Sequence, residues 1–217
     1  MPTSDYHQIS DVLHVVEHAR PRSVLDVGVG FGKWGILCRE VLEVYQERVQ
    51  PDSWQCRVDG VEIFESYRNP LWALAYNHVE IGDAFDTLAR SGRYDLILCC
   101  DVIEHFDKDK GHRLLAKMLD HGKIVVVTSP RGFVEQGAAY GNEHERHKSG
   151  WGEQDFSPYH HVYKDVGFTF LAVLARNQPD LAAVRPPNAF QVLGVKRAAR
   201  EFARLCWDRA RSRLGAR

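Results

Sequence analysis

The sequence predicts an α/β protein: a three-layer αβα sandwich on a seven-stranded, mostly parallel sheet with an antiparallel strand 7. Three observations predict it. Short apolar runs alternate with amphipathic segments of helical spacing, as in parallel strands joined by crossover helices. The first run, Val24, Leu25 and Val27, breaks on Gly28, Gly30 and Gly32 just before a helical pattern starts at Lys33. Towards the end, strand-like residues 168–175 and 189–196 have no helix between them, so they are expected to form an antiparallel hairpin at the sheet edge.

In chain order, Ile9, Val12, Leu13 and Val16 recur at helical spacing, Ser4 or Asp5 is placed to cap that helix, and Pro21 ends it. Strand 1 follows, then the glycine turn. Its residues permit backbone angles that side chains forbid, and the next helix points free N–H groups and a positive dipole end at the same spot. A flat ligand is expected there, at the carboxyl end of strand 1. The spacing is G-x-G-x-G rather than the dinucleotide G-x-G-x-x-G, and no Gly-Lys-Ser/Thr follows, which excludes a phosphate-cradling P-loop. Asp26 at the strand end disfavours a pyrophosphate and suits a cationic ligand carrying an amino group.

Trp34, Leu37, Cys38, Val41, Leu42 and Tyr45 mark one face of the next helix. Residues 55–63 form strand 2. Glu62 at its end can accept both hydroxyls of a ribose; Asp59, on the other face, is the competing acid. A helix over 67–77 takes Pro70 in its first turn. A short strand over 79–82 leads to Gly82-Asp83-Ala84, where Asp83 can also cap a helix. Residues 94–100 are a strand buried on both faces. They open into Asp101-Val102-Ile103-Glu104-His105, where His105 titrates near neutrality and can act as general base or orient a substrate. A helix over 107–119 and a strand over 123–128 come next. Residues 131–156 form a long loop rich in Gly, His and aromatics, of the kind that serves as a lid. A helix over 156–166 is expected to close the alternation. His144-x-x-His147, with Glu143, Glu145, His160 and His161 close in sequence, fits no known ligand spacing, so no metal is expected.

Val-Leu-Asp-Val-Gly-Val-Gly-Phe-Gly resembles motif I of class I S-adenosylmethionine-dependent methyltransferases, Rossmann-like enzymes of the small-molecule type, and the resemblance covers residues 8–196. It implies S-adenosyl-L-methionine as cofactor and S-adenosyl-L-homocysteine as product. Asp26, Gly28, Gly30 and Gly32 would belong to the cofactor turn. Glu62 resembles the motif II acid, with Ile63 and Phe64 packing against adenine. Asp83 and Ala84 resemble motif III, and Asp101 completes the cofactor-binding set. D-V-I-E-H resembles the segment after strand 4 of small-molecule members, with Glu104 in a supporting role. The loop T-S-P-x-G-F-x-x-Q…G-N…H-x-S-G-W resembles one in uncharacterised bacterial methyltransferases, which would put Glu143, His144, His147 and Trp151 near the acceptor. His105, His144 and His147 are thus the catalytic candidates for methyl transfer to an O, N or C atom of a small-molecule or glycan-type acceptor. Two alternatives stay open: a non-catalytic partner subunit that binds the cofactor or its product, and an NAD-type oxidoreductase sharing the first strand and turn.

The chain has 217 residues, enough for one domain over 1–196 and a basic C-terminal helix over 197–213 within the tail 197–217. Residues 196–217 carry eight Lys/Arg against two Asp/Glu, and the rest carries 20 against 27. An acidic body argues against general nucleic-acid binding, and the tail fits a homodimer contact or weak contact with an anionic surface. Five cysteines without C-x-x-C spacing read as reduced, and no apolar run nears the roughly 18 residues of a membrane span. With no signal-peptide pattern at the N-terminus, the expectation is cytoplasmic.

Overall fold

A computed structural model describes residues 3–184. Among the described residues, seven strands lie in one sheet: β1 Ser23–Val27, β2 Arg57–Glu62, β3 His78–Ile81, β4 Tyr94–Cys100, β5 Gly122–Pro130, β6 His160–Val166 and β7 Thr169–Ala175. Their order is β3-β2-β1-β4-β5-β7-β6, and β7 alone runs antiparallel, between β5 and β6. The order reverses at β1, whose neighbours are β2 and β4. That reversal opens a crevice at the carboxyl ends of the strands.

The strands sort their side chains by the two-residue pleat. In β4, Leu96, Leu98 and Cys100 face a core shared with α1 (Ile9–Ala19), α2 (Lys33–Leu42), α3 (Pro70–Ala75) and α6 (Gln178–Ala183). Ile97 and Cys99 face a second core with α4 (Ala84–Arg90) and α5 (Lys108–His121), which Tyr94 joins from the start of the strand outside that alternation. The sheet is thus covered on both sides, as its apolar β4 and β5 require. Cys38, Cys56, Cys99 and Cys100 are buried and unbridged, and no helix among the described residues is long and apolar enough to cross a membrane.

The largest correction concerns residues 156–166, expected as a helix. Glu153–Phe156 is a single tight turn and His160–Val166 is strand β6. Tyr159, Val162, Tyr163 and Val166 have helical spacing in the sequence, but Gly167, at a φ of 62°, permits a two-residue reversal into β7. Seven antiparallel pairings from His160↔Ala175 to Val166↔Thr169 then outweigh local preference. The hairpin is therefore β6–β7, and residues 169–175 are interior rather than at the edge. The strand expected over 189–196, the basic helix and Cys206 lie outside the described residues.

Smaller corrections follow from local contacts. Neither Ser4 nor Asp5 caps α1; Gln8 precedes it without a side-chain cap. Asn69 caps α3 through its side chain, with Pro70 at the first helical position, so that helix is shorter than 67–77. Tyr45 falls past the end of α2 and is exposed.

Candidate active site

A cavity of 570 Å³ opens at the carboxyl ends of β1, β2 and β4. Its floor is the glycine turn, its sides Glu62, Ile63, Asp83 and Ala84, and its far wall His105 with His144, Glu145 and His147 of the long loop. Residues 3–5 border it from the N-terminal side.

The turn is shaped by what it must avoid. Gly28 has a φ of 80°, and a Cβ there would lie 2.4 Å from Val102 Cγ2. Gly32, at a φ of 94°, is the residue before α2 and packs towards Trp72 and Tyr76 rather than lining the cavity. Trp72 Nε1 donates to the Gly30 carbonyl over 3.0 Å. Gly30 N–H in turn donates to Glu62 Oε2 over 2.9 Å, and Phe64 N–H to Oε1 over 2.9 Å. Glu62 is buried, and burial raises its pKa against the lowering effect of those amides. Each oxygen keeps a second lone pair for a ligand hydroxyl. Asp59 accepts from Arg57 and Tyr94 and is not a cavity residue.

Asp26 departs from expectation. It lies sealed under the turn rather than in the cavity, so it cannot meet a cationic ligand directly. Tyr76 Oη donates to its Oδ2 over 2.6 Å and accepts from Gly35 N–H over 2.9 Å, while Oδ1 is buried without a partner. Desolvation raises its pKa from 3.8 to about 7. Across that window the folded state holds a proton that the unfolded chain releases, so this group makes stability fall as pH rises from about 4 to about 7. In Asp26→Asn that fall should vanish: the variant gains on the parent protein between pH 5 and pH 8 in urea midpoint. An equal gap at both pH values would refute the protonated Asp26.

Asp101 lies at the end of β4 with a φ of 56°, a conformation that Asp tolerates better than most residues. Its carboxylate accepts from Asp5 N–H at 2.6 Å, Gln8 Nε2 at 3.1 Å and Thr128 Oγ1 at 3.1 Å. It lines the cavity, yet its bonds fasten the N-terminal segment across it. Lys33, also lining, donates to the Ser4 carbonyl. Asp83 borders the cavity and caps α4 through Phe85 N–H at 2.8 Å, so the foreseen helix cap is present at the cavity wall.

At the other end, His105 Nδ1 donates to the Arg146 carbonyl over 3.3 Å and His147 Nδ1 to the Val134 carbonyl over 2.7 Å. A carbonyl only accepts, so each ring carries a proton on Nδ1, and in the neutral ring the lone pair is on Nε2. Burial lowers the pKa of His105, partly countered by nearby Glu145. His144 is exposed at the cavity wall. Trp151, expected near the acceptor, is instead a core residue beside Phe156. Tyr67, Asn142 and Glu145 were not singled out as a group by the sequence, yet Tyr67 Oη donates to Glu145 Oε1 over 2.9 Å and accepts from Asn142 Nδ2 over 3.2 Å. Only Gly35, a glycine inside a helical pattern, could have signalled Tyr76 packing against it.

A family profile described as a methyltransferase domain matches residues 4–163, nearly three quarters of the sequence. The chain belongs to the methyltransferase-domain family. Among curated relatives, the chain is 28% identical over 119 residues to ajmaline N-methyltransferase of Rauvolfia serpentina, a match covering 51% of the chain and 36% of that enzyme. The chain thus spans about a third of the length of that relative. Among solved structures, the N-terminal domain of EvdMO1, in the presence of SAH and D-fucose, superposes with a TM-score of 0.54 at 15% identity, covering 81% of this chain and 85% of that chain. An O-methyltransferase family protein from Burkholderia thailandensis gives 0.55 at 12%, covering 79% and 57%. Both likenesses concern the fold.

Proposed function

We propose that this methyltransferase binds S-adenosylmethionine across the tips of β1, β2 and β3 and methylates a polar small molecule held under the 131–150 loop. The observation that carries this reading is one cavity bounded at one end by the glycine turn and Glu62 and at the other by His105, His147 and Glu145. The lining fits the cofactor: Gly28 and Gly30 leave a bare main chain, Glu62 retains a lone pair on each oxygen for a ribose hydroxyl, and Ile63 and Ala84 offer apolar surface to adenine. When bound, the cofactor supplies a sulfonium methyl open to in-line attack. The protein's part is alignment and exclusion of water. Asp26 and Asp101 support this indirectly, one beneath the turn and the other fastening residues 5–8.

The acceptor end supports a substrate with hydroxyl or amino groups, because Gln136, Asn142, Glu145 and His147 are all polar there. The ajmaline enzyme's name and the D-fucose in the EvdMO1 structure point to small molecules as well. His105, neutral through burial, can take a proton from such an acceptor on Nε2 or hold the acceptor there. His144 stands as an outer-wall contact. Buried free cysteines support a reducing, cytoplasmic setting. The basic tail, outside the described residues, is assigned a dimer or anionic-surface contact on charge alone.

Calorimetry with S-adenosylmethionine and S-adenosylhomocysteine tests the reading against NAD: heat with the first two and none with NAD is expected, and the reverse overturns it. Metabolite fractions screened for S-adenosylhomocysteine release identify the acceptor. With it, His105→Ala should lose on the order of 10²–10⁴ in turnover while cofactor affinity stays. Unchanged turnover would remove His105 from the chemistry.

A further inference from the structure

Glu104, His105 and His147 each present a donor atom within 4.8 Å of the others, in the wall of the cavity. We infer that these three residues form a binding site for one divalent transition-metal ion at the acceptor end. The inference rests on the methyl-transfer reading only for what the ion would do, not for whether it binds.

Four features support the site. First, the donor set is two imidazoles and one carboxylate, which suits zinc, iron, cobalt or manganese and leaves coordination positions open. Second, both imidazoles are already oriented as ligands. Each donates Nδ1–H to a main-chain carbonyl, of Arg146 and of Val134, so Nε2 is the nitrogen available to a metal in the neutral ring. Such an outer hydrogen bond is what usually fixes a metal-binding histidine. Third, Glu104 is 3% exposed, and its Oε2 is buried without a hydrogen-bond partner among the described residues. The Ser129 hydroxyl approaches that carboxyl but is itself without a partner, so it does not satisfy it. A buried carboxyl oxygen left bare is costly as an anion unless a proton or a cation meets it. Fourth, Glu104 faces two further acids, Asp101 and Glu145, whose charges add to burial in raising its pKa. No Lys or Arg forms an ion pair with Asp101, Glu104 or Glu145 among the described residues.

The backbone holds the ligands in place. Glu104 and His105 sit on the tight turn Ile103–His105 that follows β4. Lys148 and Ser149 N–H groups donate to the Glu104 carbonyl at 2.8 and 3.2 Å, which ties the loop bearing His147 to that turn. Metal–ligand bonds of about 2.0–2.2 Å require the donors to close by about an ångström, a side-chain adjustment. With an ion bound, His105 is a ligand rather than a proton acceptor. Acidifying an acceptor hydroxyl at an open position then falls to the ion.

Cobalt(II) titration of chelator-treated protein tests the site directly, because its visible absorption reports nitrogen and oxygen ligation without any turnover. The expected result is one cobalt per chain, with affinity lowered more than about tenfold in both Glu104→Gln and His147→Ala, the least that losing even an outer partner of a metal ligand costs. His160→Ala, an exposed histidine outside the cluster, should bind as the parent does. His147→Ala alters a half-exposed loop residue, so it keeps the test alive if Glu104→Gln fails to fold. No cobalt uptake, or uptake equal in the parent and both cluster variants, overturns the site. Calorimetry with S-adenosylmethionine in EDTA separates the two readings. Cofactor binding without cobalt uptake sinks the metal site alone, whereas cobalt uptake lost in the variants, without cofactor binding, keeps the site and sinks the methyl-donor assignment.

Discussion

Glu62→Ala is expected to weaken S-adenosylhomocysteine binding by about 100-fold, the effect of losing about 3 kcal/mol of charge-assisted hydrogen bonding. Two losses combine. The ligand's ribose hydroxyls lose their acceptor, and the Gly30 and Phe64 N–H groups lose the carboxylate that sets the glycine turn against β2. Glu62→Gln separates them. Its amide oxygen still accepts one main-chain N–H, but its NH₂ faces the other donor, so an intermediate loss is expected. Isothermal titration reads both variants, and affinity within twofold of the parent for Glu62→Ala would remove the carboxylate from cofactor recognition.

Trp151→Ala should cost about 3–5 kcal/mol of stability in urea unfolding, in the range for deleting a large buried aromatic. Trp151 is 1% exposed and packs so tightly on α5 that a Cβ at Gly111 would come within 2.4 Å of its ring. Its Nε1 donates to Ser149 Oγ over 2.8 Å, and Ser149 Oγ donates to the Phe106 carbonyl over 2.7 Å. Its carbonyl accepts from Gly132 N–H, joining the two ends of the long loop. The same substitution should therefore raise the Michaelis constant for the acceptor, since His147 and Glu145 hang from the segment that Trp151 anchors. A stability loss under 1 kcal/mol would mean that the ring is not the anchor.

These residues also show what could be read in the sequence. The glycine turn and Glu62 were legible because the strand-turn-helix and the next strand end are local patterns with one geometric outcome. Asp26 was correctly placed at the strand end, but whether it faces the ligand or the core depends on Tyr76, fifty residues on, whose hydroxyl reaches it from the end of α3. Residues 156–166 carried a helical spacing, and the strand they form is stabilised by β7, which no local pattern reveals. Trp151 looked like a loop aromatic, and only the bare backbone of Gly111 makes room for it in the core. His105 and His147 lie 42 positions apart in the sequence with ring centroids 5.1 Å apart in the fold, a proximity set by main-chain bonds to the Glu104 carbonyl.

The bond from Asp5 N–H to Asp101 spans 96 positions, and the one from Gln8 to Asp101 spans 93. The cavity is thereby assembled from segments that meet only after most of the intervening polymer has condensed. Closures of that span are entropically slow, and topologies rich in them fold late and cooperatively. Ligand capture should consequently arrive as a late event of refolding, lagging the recovery of secondary structure.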